Sequence, residues 1–288
     1  MNRGFSMIEL WIADLLTDDL TFEVPTRAGT WVFGRHQNYN DMISKMESGQ
    51  CATTFYAYNE FITPKSSDSD FSDAIDDLIR ICLVLSFLTS KCVTPVRSTP
   101  QSEISFIQLG DKFIRARAID GLPSIKLSCD LNTLFSSGST SLFSSFSSRR
   151  MGLFLAHWIS GLTCFTLEDM FLDVGVQMDI VKQCEMQVAG SSMHYFQGMQ
   201  QASARYGIAQ LGSDYKNMRN DIVHEGKLSG SNFSNKSKAE CAQVIADTLN
   251  WIDEYIAKVC AINSHVVSFD RWVARDVEHG LPAFSFHV

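Results

Sequence analysis

Apolar residues along this chain follow two periods. In the first third they fall in short β-prone runs. Leu20 to Val24 and Thr30 to Phe33 flank the turn-like stretch Pro25-Thr26-Arg27-Ala28-Gly29, which predicts two strands joined by a turn. Cys51 to Tyr58, CATTFYAY, is aromatic and threonine-rich and predicts a further strand. From Asp70 to Leu88 the period changes. Ile75, Leu78, Ile79, Cys82 and Leu85 recur at three- and four-residue steps, so the spacing predicts a helix with one apolar face. Asp70, Asp73, Asp76 and Asp77 crowd its start, where carboxylates suit the helix dipole. Beyond Pro95 and Pro100, Glu103 to Leu109 and Lys112 to Ile119 read as a hairpin around Gly110-Asp111.

The texture then shifts. Leu134 to Ser148 reads LFSSGSTSLFSSFSS, with eight serines, and is expected to be a loop or linker whose Phe135, Phe143 and Phe146 pack on a surface. From Arg149 the helical period dominates. Met151 to Leu162 is apolar around Trp158, and Leu167 to Glu185 carries apolar positions at 167, 170, 171, 174, 178 and 181. Met193 to Leu211 is weakly helical. Ser213 to Glu225 is a short helix closed by Gly226, whose freedom at positive φ suits a left-handed cap. Ser237 and Glu240 form a capping box that opens a helix with Cys241, Ile245, Thr248, Ile252, Tyr255 and Val259 on one face. Arg271 to Val277 is expected to form a short helix. The fold class expected is α+β: a mixed strand and helix region over 1–133, a serine-rich linker over 134–148, a four- to five-helix up-down bundle over 149–262, and a tail over 263–288.

Composition narrows the function classes. Of 288 residues, 45% are hydrophobic and 19% charged, a globular balance that excludes disordered and coiled-coil classes. The net charge of −8 argues against broad electrostatic capture of nucleic acid. The acidity is uneven: residues 1–148 hold 12 basic and 17 acidic groups, and residues 149–262 hold 10 and 12. No apolar run reaches the roughly 18 residues of a spanning helix, so no membrane is expected. The start, MNRGFSMIELWIADLLTDD, does not read as a signal peptide. The eight cysteines (51, 82, 92, 129, 164, 184, 241 and 260) form no Cys-x-x-Cys pair and no zinc spacing with histidine. They read as reduced core thiols of a cytoplasmic protein, with no metal or cofactor expected.

One stretch carries chemistry: Tyr215-Lys216-Asn217-Met218-Arg219-Asn220-Asp221-Ile222-Val223-His224-Glu225-Gly226. On a helix, Tyr215, Met218 and Ile222 form the core face. Asn220 and His224, four apart, lie one turn above each other on roughly the opposite side. Arg219 sits on the flank, about 140° from His224 at 100° per residue, with a side chain long enough to reach round. An imidazole can take a proton from a ribose 2′-OH or give one to a leaving 5′-oxygen. A guanidinium can clamp the phosphate between them, and an amide can orient either group. This set suits RNA cleavage in which the 2′-OH is an internal nucleophile and no metal is needed. The same residues also admit plain roles: His224 as a dipole-matched residue in a last helical turn, and Arg219 in a surface ion pair with Asp214 or Glu225.

RNDIVHEG, preceded by Tyr215 on a late helix of the expected bundle, resembles the Arg-x4-His signature of HEPN domains, most of all the Apea-like branch. The resemblance covers roughly residues 150 to 262. It implies that Arg219 and His224 are the catalytic pair, with Asn220 in support. It further implies a homodimer in which both chains contribute to one cleft, an RNA substrate of the tRNA or mRNA class, and a place in antiviral defence, abortive infection or toxin-like growth arrest under a cognate regulator or phage trigger. Some HEPN proteins are non-catalytic interaction or nucleotide-binding modules, which is the alternative expectation. Neither a P-loop nor a Gly-x-Ser-x-Gly elbow is present. Leu228 to Asn232 reads as a solvated loop, with ligand contact as the alternative; Arg115 and Arg117 on a strand and Arg149 and Arg150 at the bundle entrance as surface cations, with RNA or phosphate binding as the alternative; Trp272 as packing, with a dimer contact as the alternative.

Overall fold

The structure is a computed structural model that describes residues 8–47, 50, 52–62, 66–98, 119–120, 130–161, 164, 166–262 and 272–274. The chain divides into two compact units, Met1–Phe113 with Pro123–Ser144 and Ile114–Leu122 with Ser145–Val288.

The first unit is built on an antiparallel sheet. Strands β1 (Ile8–Ala13), β2 (Thr21–Thr26), β3 (Gly29–Arg35), β4 (Thr53–Asn59) and β5 (Thr94–Ser98) lie in the order β2-β3-β4-β1-β5. Pro25 and Pro95 both fall in edge strands, where a missing N–H breaks no inner ladder. The runs expected to be strands place Phe22, Val24, Trp31, Phe33, Phe55 and Ala57 on one buried face, and β1, which the sequence reading did not expect, adds Leu10 and Ile12 to it. Phe22 and Phe33, opposite each other in register, stack at 4.5 Å. Helix α1 (Tyr39–Glu47) follows β3, and α2 (Asp68–Thr89) follows β4. In α2, Leu78, Cys82 and Leu85 are buried as the period requires, and Ala74 O accepts from Trp31 Nε1 at 3.1 Å. The expected hairpin over 103–119 lies outside the described residues, apart from its last position.

The serine-rich stretch is not a loop. It belongs to helix α3 (Leu131–Ser148), which starts on Asp130, whose carboxylate accepts from Thr133 and Asn132. Leu131, Phe135, Leu142 and Ser145 are buried at spacings of four, seven and three, a helical stripe hidden under the serine count. Each serine costs at most about 0.7 kcal/mol against alanine in a helix. Each fully buried Leu or Phe contributes about 1.5–3 kcal/mol, so packing overrides propensity.

The second unit is helical: α4 (Met151–Gly161), α5 (Leu167–Ala189), α6 (Tyr195–Tyr206), α7 (Ser213–Glu225) and α8 (Lys238–Val259). Helix α5 is central and packs on α4, α6, α7 and α8. Its apolar positions 167, 170, 171, 174, 178 and 181 are all buried, as are the six predicted core positions of α8. Gly226 caps α7 at φ +70°, and Ser237 and Glu240 close the capping box at the start of α8. The tail departs from expectation. Within the stretch 271–277 expected to be helical, Val273–Ala274 form strand β7, paired with β6 (Ile119–Asp120), and residues 271 and 275–277 lie outside the described residues. The Asn250 side chain accepts from Trp272 N and donates to Trp272 O, which holds the backbone there as a partner strand would. Trp272 is buried, and its Nε1 and that of Trp158 both donate to the carboxylate of Asp253. Among the described residues, no helix is long and apolar enough to cross a membrane.

Candidate functional site

Helix α7 carries the motif, and burial sorts its residues. Tyr215, Met218 and Ile222 are buried against α5 and α8, as the period demands. His224 is exposed and Asn220 half-buried on the other side, and neither side chain makes a hydrogen bond or ion pair among the described residues. Between them and Arg219 lies Val223, an apolar side chain 53% exposed. The solvent-facing arc of α7 therefore runs from Arg219 through Lys216 and Val223 to Asn220 and His224.

Arg219 does not turn toward His224. Its guanidinium carbon lies 3.7 Å from the centre of the Tyr195 ring on α6. No ion pair joins it to Asp214 or Glu225 among the described residues. The Tyr195 and Tyr215 hydroxyls share a short hydrogen bond, and Tyr195 OH also lies 3.4 Å from Gly175 O of α5. Burial raises both phenols, Tyr215 strongly; the Arg219 charge pulls each back only in part, so both stay neutral donors at ordinary pH. The structure thus brings Asn220 and His224 together on one side and holds Arg219 on the flank.

The acidic residues of the motif have a role the sequence reading missed. Asp221 is wholly buried. Its carboxylate accepts from Gly230 N (2.8 Å), Asn232 N (2.9 Å), Asn232 Nδ2 (2.6 Å) and Phe233 N (2.6 Å). Glu225, one turn on, accepts from the N–H (3.0 Å) and hydroxyl of Ser231. The segment after α7 is therefore a fastened loop rather than a solvated one. Burial alone would raise the Asp221 carboxyl; the bonds from Asn232, Phe233 and Gly230 outweigh it and hold it below the usual aspartate range. The Ser231 bonds, helped by the Lys227 charge, hold Glu225 low in the same way. A clue was available in the sequence: two carboxylates at the end of a helix whose dipole disfavours them.

Of the other cations considered, Arg149 is committed elsewhere. It pairs at 2.9 Å with the buried Glu185, which Arg205 also meets at 2.9 Å, and it lies over the Tyr206 ring. Arg115 and Arg117 lie outside the described residues. Cys82, Cys184, Cys241 and Cys260 are buried free thiols. Among the described residues, no three His, Cys, Asp or Glu side chains cluster so as to hold a metal ion. Comparison with protein-family models, with curated proteins and with solved structures gives no match.

Proposed function

We propose that this chain is a HEPN-type endoribonuclease that cleaves RNA without a metal, acting in the cytoplasm in defence or growth arrest, with the second unit as its helical effector. The observation that carries the reading is the composition of the exposed arc of α7. An uncommitted imidazole and an amide one turn apart share that arc with an arginine, and an exposed valine stands between them. His224 takes the proton of the ribose 2′-OH as the 2′-oxygen attacks phosphorus, and the imidazolium returns it to the departing 5′-oxygen. The products are a 2′,3′-cyclic phosphate and a free 5′-hydroxyl. Arg219 neutralises the charge that grows on the phosphoryl oxygens, and Asn220 orients the imidazole or the sugar. The position of Arg219 on the flank, engaged by Tyr195, favours a site completed by a second copy of the chain. Val223 suits the apolar centre of such a contact. Expression of the wild-type chain is expected to arrest growth of its host, and Arg219→Ala is expected to abolish the arrest.

A second reading draws on the same stacking. With its guanidinium over Tyr195, α7 also suits a non-catalytic HEPN module that lines a dimer groove or binds a nucleotide. Wild-type protein that dimerises and retains a nucleotide but leaves RNA intact supports that reading over the first.

A further inference from the structure

Asp221 and Glu225 stand where the dipole of α7 disfavours negative charge, one turn apart on the same side of its last turns. Six hydrogen bonds from the 230–233 segment offset this, three of them from backbone N–H groups to Asp221 alone. The fit is close. A Cβ on Gly230 would lie 2.6 Å from a Glu225 carboxylate oxygen and 2.9 Å from Asp221 Cγ, so only glycine lets the loop backbone come this near. The loop is also anchored from within: Leu228 and Phe233 are buried, and the Ser229 hydroxyl donates to Phe233 O and accepts from Lys236 N. His224 borders this clasp. It precedes Glu225 in sequence and lies about 60° from Asp221 around the helix.

The geometry points to Asp221 as the positioning residue for His224. Its buried carboxylate fastens the 227–236 loop to the last turn of α7, and so fixes the direction of the imidazole on a turn that would otherwise fray. This rests on the reading of His224 as the acid–base group of an RNA-cleaving site. Asp221 is not a catalytic residue. It has no exposed surface, and both its oxygens are engaged by the loop.

The test uses the full chain and attacks the clasp from both sides. Asp221→Asn keeps the size of the side chain but sets an amide N–H₂ against the loop N–H groups. Gly230→Ala keeps every residue of α7 and sets a methyl group against the Glu225 and Asp221 carboxylates; it carries the test if Asp221→Asn fails to fold. In both variants, hydrogen exchange at the amides of position 230, Asn232 and Phe233 accelerates. The His224 imidazole resonances move, and kcat on RNA falls about tenfold or more with KM within about twofold. Faster exchange with wild-type kcat and unmoved His224 resonances overturns the positioning role while the nuclease reading stands. Wild-type protein inert toward RNA, with His224 resonances that still move in both variants, sinks the nuclease reading and supports the clasp.

Discussion

The guanidinium carbon of Arg219 lies over the ring of Tyr195 on α6, 3.7 Å from its centre. The hydroxyl of the same tyrosine shares a hydrogen bond with that of the buried Tyr215. The two interactions are separable by mutation. Tyr195→Phe keeps the ring under Arg219 but strands the Tyr215 hydroxyl, and is expected to cost about 1–2 kcal/mol in urea unfolding. Tyr195→Leu removes the stacking as well, and is expected to cost about 0.5–2 kcal/mol more. Equal losses for the two variants would show that the stacking contributes nothing.

Arg219 and His224 lie on different flanks of one helix, and the proposed function has a shared site draw them from two chains. Chains carrying Arg219→Ala are expected to be inactive toward RNA, and so are chains carrying His224→Ala. After the two are unfolded and refolded together, RNA cleavage is expected to return. A mixture as inert as its parts would show that both groups act within one chain.

The loop clasp is pH-dependent, with a defined sign. Asp221 has a folded value below its unfolded one, about 3.9 for a free aspartate. Its contribution to stability is therefore full above about pH 4 and is lost as the pH falls through the lowered folded value. Hydrogen exchange at Gly230, Asn232 and Phe233 is expected to hold steady from pH 7 to about pH 4.5, after correction for intrinsic exchange, and to rise below that. In Asp221→Asn the corrected exchange is expected to be fast throughout and flat with pH.

Helix α3 offers a test of packing against propensity. Ser136 is exposed within it, and its hydroxyl bonds back to Thr133 O. Ser136→Ala is expected to stabilise the chain by about 0.5 kcal/mol in urea unfolding, and Ser136→Pro to destabilise it by about 3 kcal/mol or more. No effect from either substitution is the result expected of a loop, and would contradict the helix.

Where burial sets the sequence pattern directly, the elements were legible. The β-prone run through Phe22 and Val24 supplies a buried strand face, and of the apolar spacing in α2, Leu78, Cys82 and Leu85 are buried while Ile75 and Ile79 are half-buried. Legible too were the chain's local signals, Gly226 as a cap and Ser237 with Glu240 as a capping box. Helix α3 was hidden because serine composition masked the spacing of Leu131, Phe135 and Leu142. The extended backbone at Val273 depends on Asn250, 22 residues from Trp272, and no local pattern reports it. In the candidate site, periodicity placed Asn220 and His224 away from the core face. It placed Arg219 on the flank but could not supply its partner, because Tyr195 comes from another helix. Asp221 looked like one more polar residue of the motif because its burial is supplied by a loop folded back over it.

The most direct measurement is cleavage of total RNA by the purified chain in excess EDTA, beside His224→Ala. Wild-type protein is expected to cut RNA to products ending in a 2′,3′-cyclic phosphate, and His224→Ala to leave it intact. Cleavage that requires a divalent metal, or that persists in His224→Ala, would contradict the account.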